Sequence, residues 1–102
     1  MKPAAFSRRA LRELDSAVRW IAADNPVAAE GLWAAVIRAA ERIGRHPHIG
    51  SLRPDLTTSN RHRFVALTGF PYLIVYAADR EPPLIVRMAH SSRDLPRLFQ
   101  NL

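Results

Sequence analysis

Apolar residues recur at steps of three and four from Leu11 onward, through Leu14, Val18 and Ile21. Arg8, Arg9, Arg12, Asp15 and Arg19 fall mostly elsewhere. That spacing places the apolar set on one face of a helix. Ser7 stands just before it, in the position of an N-cap, where a hydroxyl accepts from a free backbone N–H. Asp24-Asn25-Pro26 then punctuates the chain. Asn25 suits a second cap and Pro26 the first helical position, where a missing N–H costs nothing. Ala29, Leu32, Val36, Ala40 and Ile43 repeat the helical spacing, and Gly44 followed by Pro47 predicts a stop near Arg45. Two amphipathic helices with so short a link predict a helical hairpin.

The period then changes. His46–Asn60 carries Gly50, two prolines and several polar residues, and reads as a loop long enough to suggest a function. Arg61–Thr68 alternates in part, Tyr72–Ala78 is continuously apolar, and Leu84–His90 forms a third strand-like run. Gly69-Phe70-Pro71 and Asp79–Pro83 are the turns between them, and links this short predict an antiparallel meander. Lys2–Phe6 suits a short first strand. Asp94–Leu102 suits a last helical turn, with Asp94 as its cap. The expected architecture is one α+β domain over residues 1–102, a helical hairpin packed on a three- to four-stranded, mainly antiparallel sheet. Trp20 stands out, at about 120° from the centre of the first apolar stripe. It is either covered by the second helix or the sheet edge, or left open as an anchor for a partner.

Composition narrows the classes of function. With 102 residues the chain has room for one modest core. Fifteen basic residues against nine acidic ones give a formal charge of +6, and Lys2 is the only lysine. Arginine suits bidentate contacts to phosphate and carboxylate. The excess fits either a solvated basic surface or a polyanionic partner, nucleic acid or acidic protein. There is no cysteine, so disulfides and thiolate metal sites are excluded. His46 and His48 are two apart with no nearby third ligand, so neither a metal nor another cofactor is expected. Met1–Ser7 does not read as a signal peptide. The longest apolar run, Phe70–Ala78, falls far short of the roughly 20 residues of a membrane span. A cytoplasmic protein is expected.

Several local motifs carry a resemblance. The first helix, with Leu14, Trp20 and Ile21, leads into Asp24-Asn25-Pro26 and Ala28-Ala29. Pro47, Ile49 and Gly50 form a P-x-x-G segment, followed by Arg53-Pro54-Asp55-Leu56. Tyr72-Leu73-Ile74-Val75-Tyr76 comes next, and His90-Ser91-Ser92-Arg93-Asp94-Leu95 matches an H-x-x-R-D ending. In order and spacing this resembles the ParE/RelE superfamily of bacterial toxins, and in particular its ParE-like branch. The resemblance implies a type II toxin held in a hetero-oligomer by a cognate antitoxin, whose flexible acidic segment wraps it. ParE-like members poison DNA gyrase, whereas RelE-like members cut messenger RNA on the ribosome. A shared fold does not choose between these.

RNA cleavage by 2′-OH attack needs a proton acceptor, a proton donor and cations for the developing charge. Arg61, Arg63, Arg87 and His90 are the residues that would supply them. Arg61 and Arg63 share a face of their strand and His62 points the other way. The bland alternatives are a solvent face for the arginines, a strand-end hydrogen bond for His90, and a local pair for Arg93 and Asp94. Two departures from the nuclease branch favour binding over cleavage. Ala77 stands where many RNA-cutting relatives carry a basic residue after the tyrosine of the central strand. The tail Leu95–Leu102 lacks the His, Tyr or Lys that such relatives place there. Its leucines and phenylalanine suit docking or packing. Trp20, Trp33, Arg61, Arg63, Arg93, Leu98 and Phe99 are therefore the candidate partner contacts, and no residue is assigned a catalytic role. The readings left open are a gyrase-binding toxin, a ribosome-dependent endoribonuclease, and a toxin-like protein without activity.

Overall fold

The computed structural model describes all residues, Met1–Leu102. Strand β1 (Ala5–Phe6) leads into helix α1 (Arg8–Ala22) and helix α2 (Pro26–Arg45). Strands β2 (His62–Ala66), β3 (Tyr72–Ala77) and β4 (Leu84–His90) follow, and helix α3 (Leu95–Phe99) closes the chain. The sheet order is β1-β4-β3-β2. β2, β3 and β4 form the expected antiparallel meander. β1 adds in parallel beside β4 through Ala5↔Leu84 and Phe6↔Ile85 only.

The caps act as their chemistry requires. Ser7 Oγ accepts from the Ala10 N–H at 3.0 Å and donates to the Val86 carbonyl at 3.1 Å, so one hydroxyl starts α1 and ties it to the sheet. Asn25 Oδ1 accepts from the Ala28 N–H at 3.1 Å, with Pro26 opening α2. Asp94 caps α3 by position only, without a side-chain hydrogen bond. Gly44 lies inside α2 rather than ending it. A Cβ there would run into the Lys2 carbonyl and the Pro3 backbone, so glycine lets the N-terminal segment cross the helix at close range.

Two apolar clusters sandwich the sheet. On the helical side Leu14, Leu32, Val36 and Ile43 pack against Ile74, Tyr76, Ile85 and Met88. The stripe on α1 differs from the expected one: Ala10, Leu14 and Ala17 are its buried residues, and Leu11 is 47% exposed. Ala10 and Ala17 face inward on either side of Leu14, and Leu11 turns out to water. The α2 stripe is buried as its spacing predicts. On the opposite face Leu56, Phe64, Leu73, Val75 and Ala89 surround Phe99, which is fully buried. The central strand β3 is thus covered on both sides, which explains its unbroken apolar sequence.

Candidate functional site

The cations that cleavage would need are distributed over both faces of the sheet. Arg87 pairs with Val75, which faces the Phe99 cluster; Arg63 pairs with Tyr76, which faces the helices. His90 pairs with Tyr72, four residues from Tyr76 and about 13 Å away along β3. Each group also has a partner of its own. Arg87 is buried, its Nε and Nη2 donating to the Glu13 carboxylate at 3.0–3.2 Å and its Nη1 to the Leu98 carbonyl at 3.2 Å. Arg61 pairs with Asp79 at 3.2 Å. Arg63 donates to the Gly50 carbonyl at 2.8 Å and, more weakly, to that of His48 at 3.4 Å. His90 Nδ1 accepts from the Ser92 N–H at 3.1 Å and lies 2.7 Å from Ser92 Oγ, which shapes the turn after β4. Arg93 and Asp94 form no ion pair.

His62 points away from Arg61 and Arg63, as strand alternation requires. It is buried, with Nδ1 2.6 Å from Ser59 Oγ. Burial first, then the charge of Arg61, hold its imidazole below the ordinary value, partly opposed by Asp79. His46 and His48 are exposed, and no cluster of His, Cys, Asp and Glu suited to a metal is present.

The P-x-x-G segment has a structural explanation. Tyr76 Oη donates to the Pro47 carbonyl at 2.7 Å and accepts from the Gly50 N–H at 2.9 Å. A Cβ on Gly50 would stand 2.8 Å from the Tyr76 ring, so glycine is needed for this close approach. Burial raises the Tyr76 hydroxyl above its ordinary value, keeping it neutral and able to donate. The long loop is thus clamped to β3, and Ser51 bridges Phe64 to extend the pairing.

Two surfaces remain available to partners. The first is the outside of the hairpin. Trp20 is 79% exposed and Val27 77% exposed, flanking the α1–α2 turn, and Trp33 is half exposed. Trp33 lines an apolar depression of about 360 Å³ with Val18, Ala22, Pro26 and Ala29. Trp20 is therefore covered by neither α2 nor the sheet edge. The second is a polar groove of about 560 Å³ between α1 and the end of β4, lined by Arg9, Arg12, Ser16, His90 and Arg93 among others. Of the tail residues named as partner contacts, Phe99 is corrected. It is a core residue, 5.6 Å from the Phe64 ring and beneath the Arg87 guanidinium at 5.4 Å. Leu98 packs at the edge of the same cluster. Sequence reading missed the groove arginines of α1, whose signal was the i, i+3 spacing of Arg9 and Arg12. It also missed Glu13, which no sequence pattern marked.

Two helices on one face of a mixed sheet, with a short helix closing the other, are the α+β architecture expected of ParE/RelE-type toxins. The chain matches the family described as ParE toxin of type II toxin-antitoxin system, parDE, over residues 4–95. It is 30% identical over 94 residues to Y4kP, a candidate toxin of Sinorhizobium fredii, covering 92% of this chain and 93% of that protein. A solved structure of the chromosomal ParDE toxin–antitoxin system from P. aeruginosa has the same fold. The TM-score is 0.72 at 16% identity, over 88% of this chain and 96% of that one. The chain belongs to the ParE toxin family of type II toxin–antitoxin systems. No helix is long and apolar enough to cross a membrane.

Proposed function

We propose that this toxin acts in the cytoplasm by binding DNA gyrase, without cutting RNA, and that a cognate acidic antitoxin holds it inactive. The observation that carries the binding reading is the state of Arg87. Its guanidinium is buried between Glu13, the Leu98 carbonyl and the Phe99 ring, where it holds α1 and α3 to the sheet. A cation in that position has no free face for a phosphate. Arg61, Arg63 and His90 have partners as well, and Ala77 puts no cation beside them. An antitoxin is supported by the family and by the exposed tryptophans, which are the residue type that anchors interfaces.

Purified toxin should block gyrase supercoiling and leave ribosome-bound messenger RNA intact. Induced alone in cells, it should stop DNA synthesis before RNA or protein synthesis. Site-specific cuts in the message with supercoiling untouched would overturn the gyrase reading in favour of ribosome-dependent cleavage. Neither effect would leave a toxin-like protein without that activity. Co-expressed with the protein encoded beside it, the chain should elute as a complex that melts above the free toxin. Separate elution with an unchanged melting temperature would count against the antitoxin.

A further inference from the structure

We propose that the groove between α1 and the end of β4 binds the sugar-phosphate backbone of duplex DNA, without regard to base sequence. The proposal goes beyond the gyrase reading, because it gives the toxin a nucleic-acid contact of its own.

Arg9 and Arg12 stand one turn apart on α1, and Arg93 lines the same groove from the turn after β4. None of the three enters the chain's ion pairs, which join Arg19 to Asp15, Arg53 to Asp55, Arg61 to Asp79 and Arg87 to Glu13. Glu13, the one acidic residue lining the groove, is committed to Arg87 and to the Met88 N–H. The other polar groups there can donate as well. Ser16 carries a hydroxyl, and burial raises the Tyr72 hydroxyl above its ordinary value, so it keeps its proton. His90 Nδ1 accepts from the Ser92 N–H, which leaves the proton of the neutral ring on Nε2. Three guanidinium groups among further donors, with no free carboxylate, suit an anion. Arg9 also occupies the first turn of α1, where the helix dipole favours carboxylates and no acid is present. A cation kept where it costs helix stability points to function rather than to folding.

Which anion it suits follows from what the groove withholds. β4 offers a visiting polypeptide no ladder, because Ser7 Oγ already donates to the Val86 carbonyl and Glu13 accepts from the Met88 N–H. The apolar members of the lining, Ala17, Met88 and Ala89, are buried in the core and leave little for a peptide's side chains to cover. No flat ring is presented to an unstacked base. Tyr72 is buried, and the His90 ring stands edge-on to it, with 5.1 Å between centroids and 75° between planes. A single strand would therefore find no stacking platform. Arg9 to Ser16 spans about 10 Å along α1, longer than a lone phosphate group needs. The backbone of a duplex meets all these conditions, with its bases stacked inside and a row of phosphates outside. Side-chain donors are what hold such a backbone, and they carry no sequence information.

The test uses the full chain and short fluorescein-labelled DNA duplexes, read by fluorescence anisotropy. Duplexes of two unrelated sequences should bind alike, and the logarithm of affinity should fall linearly with that of the salt concentration. Arg9→Ala/Arg12→Ala should lower affinity about tenfold. It removes two phosphate contacts, so it should also reduce the salt slope by about 2. Both side chains are exposed, so its melting temperature should match the parent. Arg38→Ala/Arg42→Ala removes the same charge from exposed α2 positions outside the groove, and should keep the parent's slope. Absence of binding, an equal loss in both variants, or tighter binding of single-stranded RNA or of poly-glutamate would overturn the proposal. A supercoiling assay separates it from the gyrase reading. Duplex binding through Arg9 and Arg12 by a toxin that leaves supercoiling untouched defeats the gyrase reading alone. Blocked supercoiling by a toxin that binds no duplex defeats the groove alone.

Discussion

Glu13→Ala removes a carboxylate on which both a buried cation and a backbone donor depend. Glu13 Oε2 accepts from Arg87 Nη2 at 3.0 Å and Nε at 3.1 Å, and Oε1 accepts from the Met88 N–H at 3.0 Å. The Arg87 side chain is 8% exposed and that of Glu13 is 24% exposed. Breaking a fully buried ion pair by removing one partner costs about 3–5 kcal/mol, because the other charge is left uncompensated. Here the Leu98 carbonyl and the Phe99 ring retain part of the cation's stabilisation, and water reaches the vacated carboxylate site, which trims that loss to about 2 kcal/mol. The orphaned Met88 N–H adds about 1 kcal/mol. The variant should therefore lose about 3 kcal/mol in urea denaturation followed by circular dichroism, and melt about 15 °C lower. A loss under about 1 kcal/mol would refute the assignment of this pair as a main tie between α1 and the sheet. Glu13→Leu/Arg87→Met, which removes both charges and keeps apolar bulk, should recover most of the stability. If it is as unstable as Glu13→Ala, uncompensated charge is the wrong cause.

Other consequences follow from the packing. Gly44→Ala should destabilise by about 2 kcal/mol or more in the same assay, because the obstacle is the rigid Lys2–Pro3 backbone rather than a side chain that can move. Phe99→Ala should cost about 3–4 kcal/mol and expose the outer sheet face to a hydrophobic dye, whereas a purely superficial tail would tolerate it. Tyr76→Phe should cost about 1–2 kcal/mol and speed proteolysis within residues 46–60, since the Pro47 carbonyl and Gly50 N–H lose their shared partner. His62, with its folded value depressed below 6.5, makes the unfolded chain the better proton acceptor. Stability should thus be full above the ordinary histidine range and decline as pH falls through it, and His62→Gln should flatten that slope in denaturation measured across pH.

Much of this fold is legible in the apolar pattern, because helix and strand periods were each carried by residues that bury. The α2 stripe and β4 boundaries follow directly from spacing. The α1 stripe does not, because periodicity ranks Leu11 above Ala10 and Ala17 by size, while the buried face of the helix runs through Ala10, Leu14 and Ala17. Phe99 illustrates the same blindness in a tail: a short Leu- and Phe-rich segment reads alike whether it covers its own sheet or a partner. The candidate site was less legible still. Arg61 and Arg63 stand at the start of β2 and Arg87 and His90 on β4, with β3 between them, and alternation, register and a bulge between Val75 and Tyr76 decide which faces they occupy. Those decisions depend on contacts distant in sequence, and Glu13, placed 74 residues before Arg87, is the clearest of them.

The parallel pairing of β1 with β4 has a consequence for how the protein is made. Synthesis runs from the N-terminus, and Ser7 waits 79 residues for the Val86 carbonyl that fixes it. β1, Ser7 and Glu13 all find their partners in β4, the last strand to emerge. Contacts this distant form late and slowly. From the completion of α2 at Arg45 until β4 is made, a nascent chain therefore carries α1 and α2 as a hairpin without its sheet, with Leu14, Leu32 and Val36 lacking the strands that will bury them. Over that interval its exposed apolar face is the kind of surface that chaperones and proteases engage, and the fold of the toxin is not yet made. The ribosome itself thus imposes a delay between starting the polypeptide and releasing its poison.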